Sequence, residues 1–181
     1  LVYKFEYFNE ILNYYDESVR ANIDVESQTS NPSATDKIFR TNRILNNVNL
    51  NGEFNSGARY DLLLSYQEQK RDLNVFNYYI VTQQKSDESD ETYQSSKVLF
   101  SKGTINNLFK NDAYNFQLGF EARYNNGFDT EASGEVTQND QTYTQSNYAI
   151  YNSSEWKISD NFSVRPGIRY EYNTKFNSKL L

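Results

Sequence analysis

The residue types that most often carry enzymatic chemistry are missing from this 181-residue chain, which has no His and no Cys. Without His there is no Ser-His-Asp relay, no His-held zinc and no imidazole base. Without Cys there is no thiolate nucleophile, thiolate ligand or disulfide. Carboxylate pairs such as Asp61 with Glu68 remain, but no motif brings them together, and they read as solvated or cavity-lining charges. Asp87, Glu88, Asp90 and Glu91 are ligand types suited to calcium, yet their spacing is not that of an EF-hand loop. A solvated loop tip is expected there. Asn152-Ser153-Ser154 fits the glycosylation sequon, a motif too frequent to carry weight, and no glycine-rich phosphate loop occurs. The net charge of −6 argues against nucleic-acid binding, which needs a basic surface. The expectation is a chain that is not an enzyme and holds no cofactor or metal.

The more informative charges are Glu121, Arg123, Arg165, Arg169 and Glu171. Each alternates with apolar neighbours. Glu121 and Arg123 share a parity with Asn115, Gln117 and Gly119, while Tyr114, Phe116, Leu118, Phe120, Ala122 and Tyr124 occupy the other. Phe162, Val164, Pro166, Ile168, Tyr170 and Tyr172 repeat the pattern against Ser163, Arg165, Gly167, Arg169, Glu171 and Asn173. Period-two alternation predicts strands with one greasy and one polar face. Each run lasts about 11 residues, the length a tilted strand needs to cross a bilayer and about twice that of a soluble strand. In such a wall the charges line an interior, where mutual pairing is favoured over substrate contact.

A hairpin is predicted where Val48, Leu50, Gly52 and Phe54 alternate with amides and Tyr60, Leu62, Leu64 and Tyr66 resume the pattern after Asn55-Ser56-Gly57-Ala58. Connections alternate in length: tight at Asn55–Ala58 and Ser159–Asn161, and long and polar at Ser27–Arg40, Gln83–Glu91 and Asn125–Gln141. Ile105–Asp112 falls where another short turn belongs. Parity slips between Tyr66 and Val75, which a bulge, or a strand that rises past the membrane into the loop region, would explain. Leu1–Arg20 is expected as strand or, around Phe8–Tyr15, a helical turn. Thr92–Gly103 alternates poorly. The aromatic load of 16 Tyr, 12 Phe and one Trp concentrates near strand ends. Phe54, Tyr60, Trp156 and Phe162 stand at the tight-turn end, and Tyr79, Tyr124, Tyr143 and Tyr172 toward the long loops. Such girdles suit the two interfaces of a membrane. The predicted lipid face comprises Tyr60, Leu62, Leu64, Phe116, Leu118, Phe120, Val164 and Ile168. The mean hydropathy of −0.85 does not oppose this, because barrel strands spend every second residue on a polar lumen. No run reaches the roughly 20 apolar residues of a membrane helix. With no Met, the chain is expected to be a fragment or processed product, so the lack of a secretory signal at its start carries little weight.

The stretch from Tyr148-Ala149-Ile150-Tyr151 through Trp156-Lys157-Ile158-Ser159-Asp160 to Val164-Arg165-Pro166-Gly167-Ile168-Arg169-Tyr170 resembles a hairpin of TonB-dependent outer-membrane receptors. Asp61-Leu62-Leu63-Leu64-Ser65-Tyr66-Gln67 has the same style. The resemblance implies an all-β, antiparallel transmembrane barrel of about 22 strands around a plug, with short periplasmic turns and long extracellular loops. Residues 1–181 are then one slice of its wall, about six to eight strands, without the plug. Its edges must pair with the rest of the barrel. The implied function is TonB-dependent uptake of a metal chelate (siderophore, haem or cobalamin) across the outer membrane of a Gram-negative bacterium. The implied partners are outer-membrane lipid, the remaining barrel and plug, the TonB energy-transducing complex and the chelate, and no nucleic acid. A glycan or peptide importer is the nearest alternative, and a soluble β-sandwich for binding or adhesion the next.

Overall fold

The computed structural model describes residues 1–17, 20, 32–109, 113–130, 140–175 and 177–180. Backbone donors and acceptors must all be paired in an apolar medium, and long alternating strands achieve this by laddering side by side. The described residues form β1 (Val2–Tyr14), β2 (Ser33–Glu53), β3 (Arg59–Tyr79), β4 (Gln84–Asn106), β5 (Tyr114–Thr130), β6 (Asp140–Ser159), β7 (Phe162–Val164), β8 (Gly167–Asn173) and β9 (Asn177–Leu180). All belong to one antiparallel sheet in chain order, β1 to β6 followed by β8 and β9, with β7 also on β6. β7 and β8 are one strand interrupted at Pro166, which has no N–H to give the ladder, although its carbonyl still accepts from Ser154 N–H at 3.0 Å. The sheet is open, with β1 and β9 as edges.

The strands are longer than the alternation alone suggests. β2 and β3 have 21 residues each and β4 has 23. At about 3.3 Å per residue such strands run roughly 70 Å, against a hydrocarbon core of about 30 Å. The long polar loop expected at Gln83–Glu91 is therefore corrected. Ladder pairing continues to Tyr79 opposite Gln84, leaving only 80–83 as the turn. Polar residues pair there because the ladder is a backbone property, and cross-strand amide–carboxylate bonds reinforce it: Asn74 Nδ2 donates to Glu88 at 2.9 Å and to Asp90 at 2.7 Å. Ser33–Arg40 and Asn125–Thr130 likewise turn out to be strand. Most of the remainder of those two expected loops, 27–31 and 131–139, lies outside the described residues. Val2–Tyr14 is strand throughout, without a helical turn at Phe8. β3 itself carries no bulge and pairs β2 without a shift, so its parity slip beyond Tyr66 marks a strand that continues past the apolar band; its pairing with β4 does shift, at Arg71/Asp72 and at Val75/Asn77. The extra residues lie on β4, where Asp87 takes a positive φ of 54°. The Asn55–Ala58 turn closes with Gly57 at φ 85° and Phe54 N–H on Ala58 O at 2.8 Å.

Glycines sit opposite aromatics on neighbouring strands. Gly119 of β5 pairs with Tyr151 of β6, and a Cβ at Gly119 would run into that ring. Gly119→Val should lower stability by about 1–3 kcal/mol through forced displacement of the ring. The urea-unfolding midpoint of the refolded full-length protein measures it, and Tyr151→Ala in the same chain should recover most of the loss.

Candidate functional site

Residues opposite one another in an antiparallel ladder share a face, so the register sorts every side chain into two sets. On the first face, Leu50 and Val48 of β2 stand opposite Leu62 and Leu64 of β3, and Gly52 opposite Tyr60. Tyr60 faces Ile105 and Leu62 faces Gly103 on β4. These face Leu118 and Phe120 on β5, then Asn152 and Ile150 on β6, then Ile168 and Tyr170 on β8. Phe116 lies in the same parity on β5, and Val164 is opposite Trp156. All residues expected to face lipid thus fall on one surface. Leu118, Phe120 and Ile168 are 47%, 43% and 54% exposed, and Phe116 and Val164 are half-exposed. Among the described residues no second layer covers this apolar band, and the fully buried apolar set is only Ala34, Ala58, Leu73, Phe76 and Ala149.

The apolar band has a sharp upper end. Beyond Tyr66 the same face of β3 reads Glu68, Lys70, Asp72 and Asn74. Lys97 of β4 bonds Glu68 at 3.0 Å, and Lys70 bonds Asp72 at 2.8 Å. On β5 the band runs from Tyr114 to Tyr124, ten residue steps, or about 25 Å along the normal of a strand tilted by about 45°. Aromatics rim it. Phe54 packs on Tyr60 at 4.9 Å, and Trp156 stands opposite both Tyr114 and Val164 at the tight-turn end. Phe162 is exposed at 56% beside them. Tyr124 and Tyr66 both face Leu99 at the other end, and Tyr172 faces Tyr148. Tyr66, Tyr114 and Tyr148 complete these rims and were legible from parity alone. Tyr79 and Tyr143, expected in the loop-end girdle, fall instead on the opposite face, where Tyr143 stands across from Gly127.

That second face is polar. Glu121 accepts from Arg169 Nη2 at 2.8 Å and from Lys102 at 3.2 Å, while Arg169 Nε reaches Glu171 at 3.3 Å. Arg169 also lies over the Tyr151 ring at 5.6 Å. The ladder thus spans β4, β5 and β8. Lys102 is the member that alternation did not single out, because Thr92–Gly103 alternates poorly. Arg123 stays apart and donates to Asn125 at 3.1 Å. Arg165 is exposed in the break between β7 and β8. Asp61 and Glu68 lie on opposite faces and form no pair. The acidic residues 87–91 are spread along β4, with Asp87, Glu88 and Asp90 as partners of Asn74, Asn77 and Ser86. No three acidic groups among the described residues stand close enough to hold a metal ion. Asn152 of the sequon lies in mid-strand with its amide donated to Gln117 O at 2.9 Å.

Well above the band, Asp16 and Arg20, which follow β1, meet Asp36 on the first face. Arg20 Nη1 and Nη2 fork onto Asp36 at 2.8 and 2.6 Å, Asp16 N–H donates to the same carboxylate at 3.1 Å, and the guanidinium lies over Tyr15 and Tyr78 at 5.2 and 5.5 Å. The Arg20 bonds hold the buried Asp36 carboxyl below its ordinary range, against the opposing effect of burial and with help from the Asp16 N–H. A depressed carboxylate stabilises above its unfolded pKa and loses that contribution as pH falls through the folded one. The clasp should therefore hold at neutral pH and open only below about pH 4. Protease accessibility near Arg20 against pH measures this.

An open antiparallel wall of strands longer than a bilayer is thick, with one uncovered greasy band rimmed by aromatics and one charged face, is the wall of a transmembrane β-barrel. The chain matches the family described as TonB dependent receptor-like, beta-barrel, over residues 3–180, and it belongs to that family. Family membership implies TonB-dependent transport at a Gram-negative outer membrane, by a receptor and not by an enzyme. No curated protein matches the chain.

Proposed function

We propose that residues 1–181 are a segment of the barrel domain of a receptor that imports a metal chelate, with the plug lying elsewhere in the protein. The observation that carries the membrane part is the single apolar band, uncovered on its face and ended by Glu68–Lys97. Tyr60, Leu62, Leu64, Phe116, Leu118, Phe120, Val164 and Ile168 meet lipid. Phe54, Tyr124, Trp156, Phe162 and Tyr172 sit at its interfaces. Glu121, Arg123, Arg165, Arg169 and Glu171 face the lumen, where the Glu121 ladder stiffens the wall or meets the plug. Import needs no covalent step: loops capture cargo, and the plug, driven by the TonB complex, lets it pass.

The chelate reading, within siderophores, haem and cobalamin, rests on the resemblance of the Tyr148–Asn173 hairpin. With no His or Cys in this chain, a direct protein ligand to haem iron from this segment would have to be Tyr. One observation favours a glycan importer instead: the polar face carries an amide row, Asn47, Asn49 and Asn51 on β2, with Gln67 of β3 diagonal to Asn47. Uptake of radiolabelled ferric chelates by cells expressing the full-length protein, with and without a protonophore, tests the reading. Energy-dependent accumulation is expected. Energy-dependent uptake of oligosaccharide with none of chelate would replace it.

A further inference from the structure

Among the polar-face arginines that the Glu121 ladder does not use, two are neighbours. Arg43 of β2 pairs with Gln69, and Arg71 of β3 pairs with Thr41, so the two are diagonal neighbours on one face. No register shift interrupts β2 against β1 or β3 here, so their face is secure. They stand level with the Glu68–Lys97 pair of the opposite face, just beyond the apolar band. That is the outer vestibule, given the proposed orientation, on which this inference rests.

Each guanidinium is stacked on a phenyl ring: Arg43 over Phe8 and Arg71 over Phe39, both at 5.1 Å. Phe39 is itself wedged edge-on between Tyr14 and Tyr93 at 5.5 and 5.3 Å. Arg71 Nε donates to the buried Thr41 hydroxyl at 3.1 Å, which leaves its two amino groups. Arg43 is exposed. Neither arginine has a carboxylate within ion-pair distance among the described residues. Glu6 feels Arg43 but is bonded by Lys4, and Glu10, across from Thr41, reaches neither at that distance. Gln69 and Gln94 stand directly opposite the pair. By contrast, Lys102 and Arg169 lower on the same face are both occupied by carboxylates.

A guanidinium with one face on an aromatic ring keeps its in-plane N–H edge for a planar oxyanion, and the ring limits its rotamers in advance. We propose that Arg43 and Arg71 form an anion-selective capture site, so that the cargo is a multiply anionic oxygen-donor chelate and not a neutral one.

The test uses the full-length receptor in detergent and two kinetically inert probes of similar size. One is the trianionic ferric complex of a hexadentate tris-catecholate, the other the neutral ferric complex of a hexadentate trihydroxamate. Binding is followed by quenching of intrinsic fluorescence. The parent should prefer the anionic complex, with affinity falling as salt rises. Arg43→Gln with Arg71→Gln should weaken that binding at least about tenfold and leave any binding of the neutral probe unchanged. Arg71→Lys, which keeps charge but not the planar fork, should fall between. Equal binding by parent and double variant, a preference for the neutral probe, or binding of neither overturns the site. A receptor that still inserts and imports another solute would show that only this inference has failed. Failure of the barrel reading shows separately, as absence of the full-length protein from the outer membrane.

Discussion

Leu118→Arg should prevent the full-length receptor from assembling in the outer membrane. Leu118 stands near the middle of the apolar band, flanked by Ile105 on β4 and Asn152 on β6, and no other described element packs over it. Arginine at the midplane of a lipid-facing strand costs about 2–4 kcal/mol. Snorkelling gives little relief, because Tyr114 and Tyr124 place both interfaces several residues away. Gln117→Arg, one residue along and on the polar face, should assemble normally, since its charge meets water. Heat-modifiable gel mobility of the outer-membrane fraction reads both. Normal assembly of Leu118→Arg, or a block by Gln117→Arg alone, would reverse the two faces and with them every assignment of lipid and lumen.

Asp36→Ala should free the chain after β1 without disturbing the barrel below. The substitution removes the acceptor of both Arg20 bonds and of the Asp16 N–H, leaving the guanidinium, among the described residues, its carbonyl contact with Asp16 at 3.2 Å and its two rings. Charge-assisted bonds of this kind are each worth about 1.5–3 kcal/mol. Arg20 keeps 28% of its side chain exposed and recovers water, so a net loss of about 1–3 kcal/mol is expected. Trypsin should then cut after Arg20 in the variant at a concentration that spares the parent, with heat-modifiability unchanged. Asp36 lies on the same face as Leu50, an even number of residues along an unshifted strand. The clasp thus holds Arg20 against the outside of the wall and away from the vestibule, so anionic chelate binding should survive the variant.

Much of this was readable in advance where neighbouring residues differ strongly in polarity. Phe116, Leu118 and Phe120 against Gln117, Gly119 and Glu121 leave a single way to face the strand, because a one-residue slip would exchange lipid and water for every side chain. The Asn55–Ala58 turn was legible because Gly57 supplies the positive φ that the reversal needs. Where both parities are polar, as in Gln83–Glu91, alternation is silent, and a strand reads as a loop. The girdle placement of Tyr79 and Tyr143 failed for a related reason: proximity to a strand end says how high a residue sits, not which face it takes.

Composition and period-two alternation were enough to establish a long-stranded, two-faced β wall, since hydrophobic contrast between adjacent residues is a local property of the chain. Pairing across strands was not. Lys102 with Glu121 and Arg169, Arg20 on Asp36, and the two ring-stacked arginines join residues from different strands or segments, and inter-strand register decides which side chains meet. Register depends on hydrogen bonds and bulges summed over whole ladders, and only the folded sheet carries that sum.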